Sequence, residues 1–399
     1  MELVLSYPVL HVGGAQKLLV TFASKLYEIG VIKKIIVFDI DGGYLSTELK
    51  KVNINLEIYD VSQMDLFSFS KDAVFLIPLS EIKHLANYKI DPHLKFIFWS
   101  VHPFGFSVFA KLGILYRNLP FSSLWRMVKY IEPSRFNAFK KIISHICSKG
   151  GFWIMDLSNQ RFGEQLGFDL GGATMVPIGI DISKKAKSLS EGFIRCERNS
   201  FGWIGRLDKD KYYSLTHALR LANDVASMQM DKLDFYIIGD GNCMAKVLKL
   251  KYPFLQIKCV GFLEGSALDH FLLENVRVVF AMGTSVLEAA SLGLSVIVVD
   301  CLVSPIQGIY SNTHLMNQQS PYYLGDMVHS ESEGTVTRDY MYQLLSTDEY
   351  FGYATTCQQL TKSYFDMHGS VKYFNSEMAD RLPCWEDIRS DIEYLFCTK

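Results

Sequence analysis

The 399-residue chain has eight cysteines but no C-x-x-C pair, and no basic n-region followed by an apolar h-region at its start. Scattered thiols of this kind exclude a disulfide scaffold or a zinc ribbon and suit a reducing, cytoplasmic setting. Charge of one sign is also missing: 40 Lys and Arg stand against 42 Asp and Glu, a net charge of −2. Nucleic acid therefore meets no overall polycation. No uninterrupted apolar run of ~20 residues is available to span a bilayer. The most apolar stretch, 276–303, is broken by Arg277, Gly283, Glu288 and Gly293. Standard signatures are absent too, among them G-x-x-x-x-G-K-[ST], H-E-x-x-H and G-x-S-x-G. Gly239-Asp240-Gly241 supplies two glycines of a dinucleotide fingerprint and Met244 stands where the third would be, which argues against a dehydrogenase.

What is present is a well-folded composition, 49% hydrophobic and 13% aromatic, long enough for two domains. Apolar runs at 2–6, 35–38, 56–59, 74–77, 96–99 and 153–155 are rich in Ile, Val and aromatics, as buried parallel strands are. Between the first two, Gly13 and Gly14 precede a helical stripe of Leu18, Leu19, Phe22, Ala23 and Leu26. After the segment VPIGID at 176–181, residues 183–199 lose all apolar period and read as a linker. A second alternating series follows, with strands expected at 200–204, 233–238, 257–260, 276–281 and 295–299. Two Rossmann-like α/β halves in tandem are expected, 1–182 and 200–379. Trp385, Ile388, Ile392 and Leu395 mark one face of a terminal helix, about 380–399, expected to pack back on the first domain. Residues 300–335 show no readable period and suggest a functional loop.

Open α/β sheets bind ligands at the carboxyl ends of their strands, so the loops there carry the candidates. Gly205-Arg206-Leu207-Asp208-Lys209-Asp210-Lys211 offers a guanidinium fork and a mobile ammonium suited to a diphosphate. The same charges also balance Asp208 and Asp210 as an ordinary solvated loop. Met282-Gly283-Thr284-Ser285 opens a helix whose N–H groups and dipole favour an anion, with Glu288 one turn in to meet a ribose diol. Ser285-x-x-Glu288 equally has the form of a capping box, and Ser266-x-x-Asp269 reads as a cap alone. Asp39-Ile40-Asp41 has the D-x-D form of a metal site, but with Gly42 and Gly43 beside it turn chemistry is the better account.

The ordered set GGAQK at 13–17, VPIGID at 176–181, GRLDKDK at 205–211, IIGDG at 237–241, VGF at 260–262 and TSVLEAASLGLSVIVVD at 284–300 resembles glycosyltransferase family 4 and its GT-B relatives. The resemblance covers most of 13–300 and implies two Rossmann-like domains facing across a cleft. It implies transfer of a sugar from a UDP- or GDP-linked donor to a hydroxyl acceptor, with retention and without a metal or other cofactor. By position it implies that Arg206 and Lys211 neutralise the diphosphate, Glu288 meets the ribose, and Gly205, Gly239 and Asp240 line the donor loops. Val260, Gly261 and Phe262 are implied along the base, Gly283, Thr284 and Ser285 at the phosphate, and Gly13 and Gly14 near phosphate and acceptor. His102, at a strand end of the first half, matches a histidine beside the reacting sugar; His11 is a weaker candidate. One departure stands out: Phe280 lies eight positions before Glu288, where relatives carry the first glutamate of E-x7-E. Either that carboxylate is missing or the loop is slipped in register. A nucleotide-sugar epimerase and a non-catalytic GT-B relative are the competing readings.

Residues 104–149 hold eight cations and one acid, Glu132, interleaved with nine aromatic rings. Such a stretch suits an anionic membrane leaflet, with a lipid-linked saccharide of surface polysaccharide assembly as acceptor. It equally fits a core helix with a solvated face.

Overall fold

The computed structural model describes residues 1–10, 13–110, 129–182, 199–229, 232–328 and 331–397, those at 65 and 66 by backbone alone. Two compact units emerge: Met1–Gly179 with Met367–Lys399, and Ile180–Asp366.

The first unit is built on a parallel sheet of β1 (Glu2–Ser6), β2 (Lys34–Asp39), β3 (Leu56–Asp60), β4 (Ala73–Pro78), β5 (Lys95–Ser100), β6 (Phe152–Ile154) and β7 (Thr174–Met175), in the order β3-β2-β1-β4-β5-β6-β7. Every residue of β4 is buried, which is why its sequence AVFLIP runs apolar without alternation. On one face the Gly14–Glu28 helix buries its predicted stripe, and Phe22 meets Trp99 and Trp153 edge-on at 5.1 and 5.8 Å. On the other face the Trp385–Phe396 helix buries Trp385, Ile388, Ile392 and Leu395 beside the Pro133–Ser148 helix, each side chain worth about 1.5–3 kcal/mol. The entry to that helix is stitched to β5 by Phe96 N–H donating to Pro383 O at 2.9 Å.

Residues 367–379, expected with the second domain, belong instead to the first unit. Met367 packs on Gly179, where a Cβ would lie 2.7 Å from its Cε; Ser370 Oγ donates to Pro177 O at 3.0 Å; and Phe374 sits edge-on to Phe22 and Trp153. The linker expected at 183–199 lies, but for Asn199, outside the described residues.

The second unit carries β8 (Ser200–Ile204), β9 (Leu233–Ile238), β10 (Leu255–Gly261), β11 (Val278–Ala281), β12 (Ser295–Val299), β13 (Cys301–Leu302), β14 (Thr313–Leu315) and β15 (Met327–Val328). Its main sheet runs β10-β9-β8-β11-β12-β14, parallel except for the β12/β14 pair, and β13 pairs with β15. Strand order reverses between β8 and β11, so the crevice where such sheets take ligands opens between the loops after those two strands.

Several aromatic residues of the basic stretch are core. Phe106, Phe109, Phe136 and Phe139 are buried, and Arg135 is spent on Phe109 O (2.7 Å) and Glu132 (3.3 Å). Exposed side chains remain at Tyr130 and Ile131, with Lys129 Nζ 5.3 Å from the Tyr130 ring centre; residues 111–128 lie outside the described set. No helix among the described residues is long and apolar enough to cross a membrane.

Candidate active site

The loops after β8, β9 and β10 are laced into one wall. Gly205 N–H donates to Ile238 O at 3.1 Å, Leu207 N–H to Asp240 O at 2.9 Å, Cys243 N–H to Leu207 O at 2.7 Å, and Gly239 N–H to Gly261 O at 2.9 Å. This lacing needs glycine at 239, where φ is +144° and a Cβ would lie 2.0 Å from the Gly205 carbonyl oxygen. Beyond Gly261 the Phe262 ring stands 59% exposed, with Val260 and Gly261 half-buried beneath it. Beside Gly205 the fully buried Trp203 indole N–H has no acceptor among the described residues.

Arg206 and Lys211 leave this wall in different states. The exposed Arg206 guanidinium stands 3.5 Å from both Asp208 Oδ2 and Asp210 Oδ2, a loose arrangement worth at most about 1 kcal/mol. A diphosphate offering charge-assisted hydrogen bonds of about 1.5–3 kcal/mol each would outbid it. Lys211, half-buried at the start of the Lys209–Ala226 helix, makes no ion pair or side-chain hydrogen bond among the described residues. Burial, with the nearby Arg206 charge adding to it, holds its ammonium below the usual lysine range. Its neighbour Cys301 donates Sγ–H to Asp210 O at 3.3 Å, and burial pushes that thiol up to about 12.

The second wall follows β11. Only Met282 and Gly283 separate Ala281 from the Thr284–Ser291 helix. Gly283 is the N-cap, at φ +62°, with nothing within 4 Å of where a Cβ would project. Its own amide donates to Leu324 O at 2.8 Å, while the amides of Thr284 and Ser285 have no partner among the described residues. Ser285 is therefore inside the helix rather than its cap, and the capping-box reading of Ser285 and Glu288 fails. The same correction applies to Ser266-x-x-Asp269, because Glu264 caps the Gly265–Asn275 helix and Ser266 follows inside it. Glu288 is half-buried one turn into its helix. The two-residue connection also rules out a slipped loop: Phe280 is inside β11, stacked on Phe235 at 6.1 Å, and no carboxylate stands between strand and helix.

Sequence reasoning missed the support behind this turn. Asp300, buried at the end of β12, accepts from the Tyr323 hydroxyl, Asp326 N–H (2.9 Å) and Asn312 Nδ2 (3.1 Å), and lies 3.3 Å from His314 Nε2. It thereby pins residues 323–326, which include the Leu324 carbonyl under Gly283. A lone acid closing the apolar run of β12 was the available signal.

In the first unit, Gly13 caps and Gly14 opens the Gly14–Glu28 helix in the connection after β1. Exposed His102 follows β5 and accepts at Nδ1 from Phe104 N–H (3.2 Å), which leaves the neutral ring's proton on Nε2. His11 lies outside the described residues. Asp39 is engaged at both oxygens, by Ile40 N–H and Ser46 N–H, so the D-x-D is turn and cap chemistry. No group of three potential metal ligands occurs among the described residues.

No protein-family model matches the chain, and no curated protein does. Solved structures do. A Staphylococcus aureus TarM variant in complex with fondaparinux, alpha-GlcNAc-glycerol and UDP superposes with TM-score 0.59 at 11% identity, over 93% of this chain and 98% of the other. A glycosyltransferase from Rickettsia africae gives 0.52 at 15% identity, over 93% and 96%. The lipopolysaccharide outer core galactosyltransferase WaaB gives 0.52 at 10% identity, over 96% and 100%. At such identities the likeness is one of architecture, and the fold of this chain is that of the GT-B glycosyltransferases.

Proposed function

We propose that the chain is a glycosyltransferase that moves a sugar from a nucleoside diphosphate donor, UDP- or GDP-linked, to a hydroxyl acceptor in surface polysaccharide assembly. One observation carries the reading. The loops following the neighbouring strands β8 and β11 flank the switch point, and they bear two cationic side chains on one wall and, on the other, two helix-start amides that have no partner among the described residues.

In this reading Lys211 and Arg206 take up the charge that develops on the departing diphosphate, and the Thr284 and Ser285 amides hold its distal phosphate. Glu288 accepts from the ribose hydroxyls. Phe262 and the backbone of Val260 and Gly261 border the base, while Gly205, Gly239 and Asp240 hold the phosphate wall in shape. Retention by attack on the leaving-group side needs no separate base on the protein, and the two cations do the neutralising without a divalent ion. His102, with Gly13 and Gly14, belongs to the acceptor side. Among the described residues of 104–149, peripheral docking on anionic lipid would draw on Lys129, Tyr130, Ile131, Lys140, Lys141 and Lys149, since four rings of the stretch are core.

The two-residue connection at Met282 and Gly283, which leaves no carboxylate where relatives place one near the donor sugar, favours a second reading: a GT-B protein that binds nucleotide without transfer. Titration with UDP and GDP tests the site, and donor turnover with product analysis separates the readings. Turnover abolished by both Arg206→Ala and Lys211→Ala supports transfer. Tight nucleotide binding with no turnover for any donor supports the second reading, and no binding of either nucleotide ends both.

A further inference from the structure

The first sheet has a switch point of its own, between β1 and β4. At that point lies a cavity of about 290 Å³. Its walls are apolar: Val61 and Met64 from the 3-10 turn after β3, Phe75 and Ile77 from β4, and Leu85 from the short Ile82–Leu85 helix, with Pro8 and Val9 at the β1 end. Its polar groups are few. Ser6, the last residue of β1, is only 7% exposed, lines the cavity, and makes no side-chain hydrogen bond among the described residues. Glu81, His84 and Tyr88 line the same space, with Glu81 Oε2 3.9 Å from His84 Nε2 and Oε1 accepting from Ser80 Oγ at 3.0 Å.

A hydroxyl that opens on the cavity, with a carboxylate and an imidazole in the same lining, offers hydrogen bonds to a ligand that brings a polar group to that place. The walls ask for the reverse. A free sugar would bury several hydroxyls against Met64, Phe75 and Ile77 with nothing to bond them, whereas an alkyl or prenyl segment meets them without loss. The size is at the lower end of small-molecule sites, enough for a short chain segment.

We propose that this cavity receives the apolar aglycone of the acceptor, an alkyl or prenyl segment, with the hydroxylated head attached to it bonded by Ser6 and the Glu81 and His84 pair. The inference rests on the donor and acceptor roles proposed above, and its test is independent of turnover. Binding of octyl β-D-glucoside and methyl β-D-glucoside, below the micellar concentration, is measured by calorimetry on the full chain, with UDP titrated in parallel. The octyl compound is expected to bind at least about tenfold more tightly. Val9→Trp, which fills the cavity from its rim, removes that preference and leaves UDP affinity unchanged. Ser6→Ala weakens the octyl compound about three- to tenfold while leaving the melting temperature of the free protein in place, because its hydroxyl has no partner among the described residues to lose. Equal affinity for the two glucosides overturns the proposal, as does an octyl preference that survives both substitutions. Should Val9→Trp fail to fold, Ser6→Ala decides. Loss of the UDP arm alone counts against the donor site and leaves the aglycone cavity standing.

Discussion

Gly239 and Gly205 touch backbone to backbone: a methyl group on the former would overlap the carbonyl oxygen of the latter. The position of the 205–211 loop is thus set by the absence of a side chain on a neighbouring loop. Gly239→Ala is expected to push residues 205–211 off their position, lower nucleotide affinity at least about tenfold and destabilise the chain by about 1–3 kcal/mol, since φ +144° is strained for alanine as well. Calorimetric titration with UDP and thermal melts check both halves.

Lys211 gives a trade between stability and binding. A half-buried ammonium with no partner among the described residues disfavours the folded state, so Lys211→Met is expected to raise the melting temperature by about 1–3 °C while removing most diphosphate affinity. A fall in both would show that the ammonium is held by a bond in the free protein.

The same group sets a pH dependence. Its pKa is depressed in the free protein, and a bound diphosphate raises it, so binding takes up a proton wherever the free lysine is partly neutral. UDP affinity is therefore full below the depressed value and declines as pH rises through it. Buffers of different ionisation enthalpy reveal the proton uptake in calorimetry, and Lys211→Arg flattens the profile.

Asp300→Ala leaves the Tyr323 hydroxyl, the Asp326 amide and Asn312 Nδ2 without their common acceptor. Each buried orphan costs about 1–3 kcal/mol, so the variant melts well below the parent. Asp300→Asn keeps one acceptor oxygen and recovers part of the loss. Hydrogen exchange at Gly283, whose amide rests on Leu324 O, is expected to quicken in both.

Much of the fold is legible from the chain because buried parallel strands concentrate Ile, Val and aromatics in short runs, and because Trp385, Ile388, Ile392 and Leu395 repeat at helical spacing. The start of the helix bearing Glu288 is less so. Ser285 has the right neighbour for a cap, yet Gly283, free to adopt φ +62°, takes the cap two residues earlier. Residues 300–335 are opaque for a different reason: their order comes from single side chains reaching across the loop, as when Glu331 accepts from Gly308 N–H and Ser311 Oγ, and such bonds leave no period. Composition could not divide the 104–149 rings between core and surface either, because Phe136 and Tyr130 look alike until a helix face is assigned.

The closing segment of the chain has a consequence for synthesis. The second unit is continuous from 180 to 366 and has all its strands once those residues have left the ribosome, whereas the first waits for Met367 to Lys399, which are made after both. Until Trp385 arrives, the apolar flank of β5 around Phe96 stays uncovered. The later-made half is thus the one able to mature first, and a chain truncated before Trp385 would leave the earlier half as a substrate for chaperones.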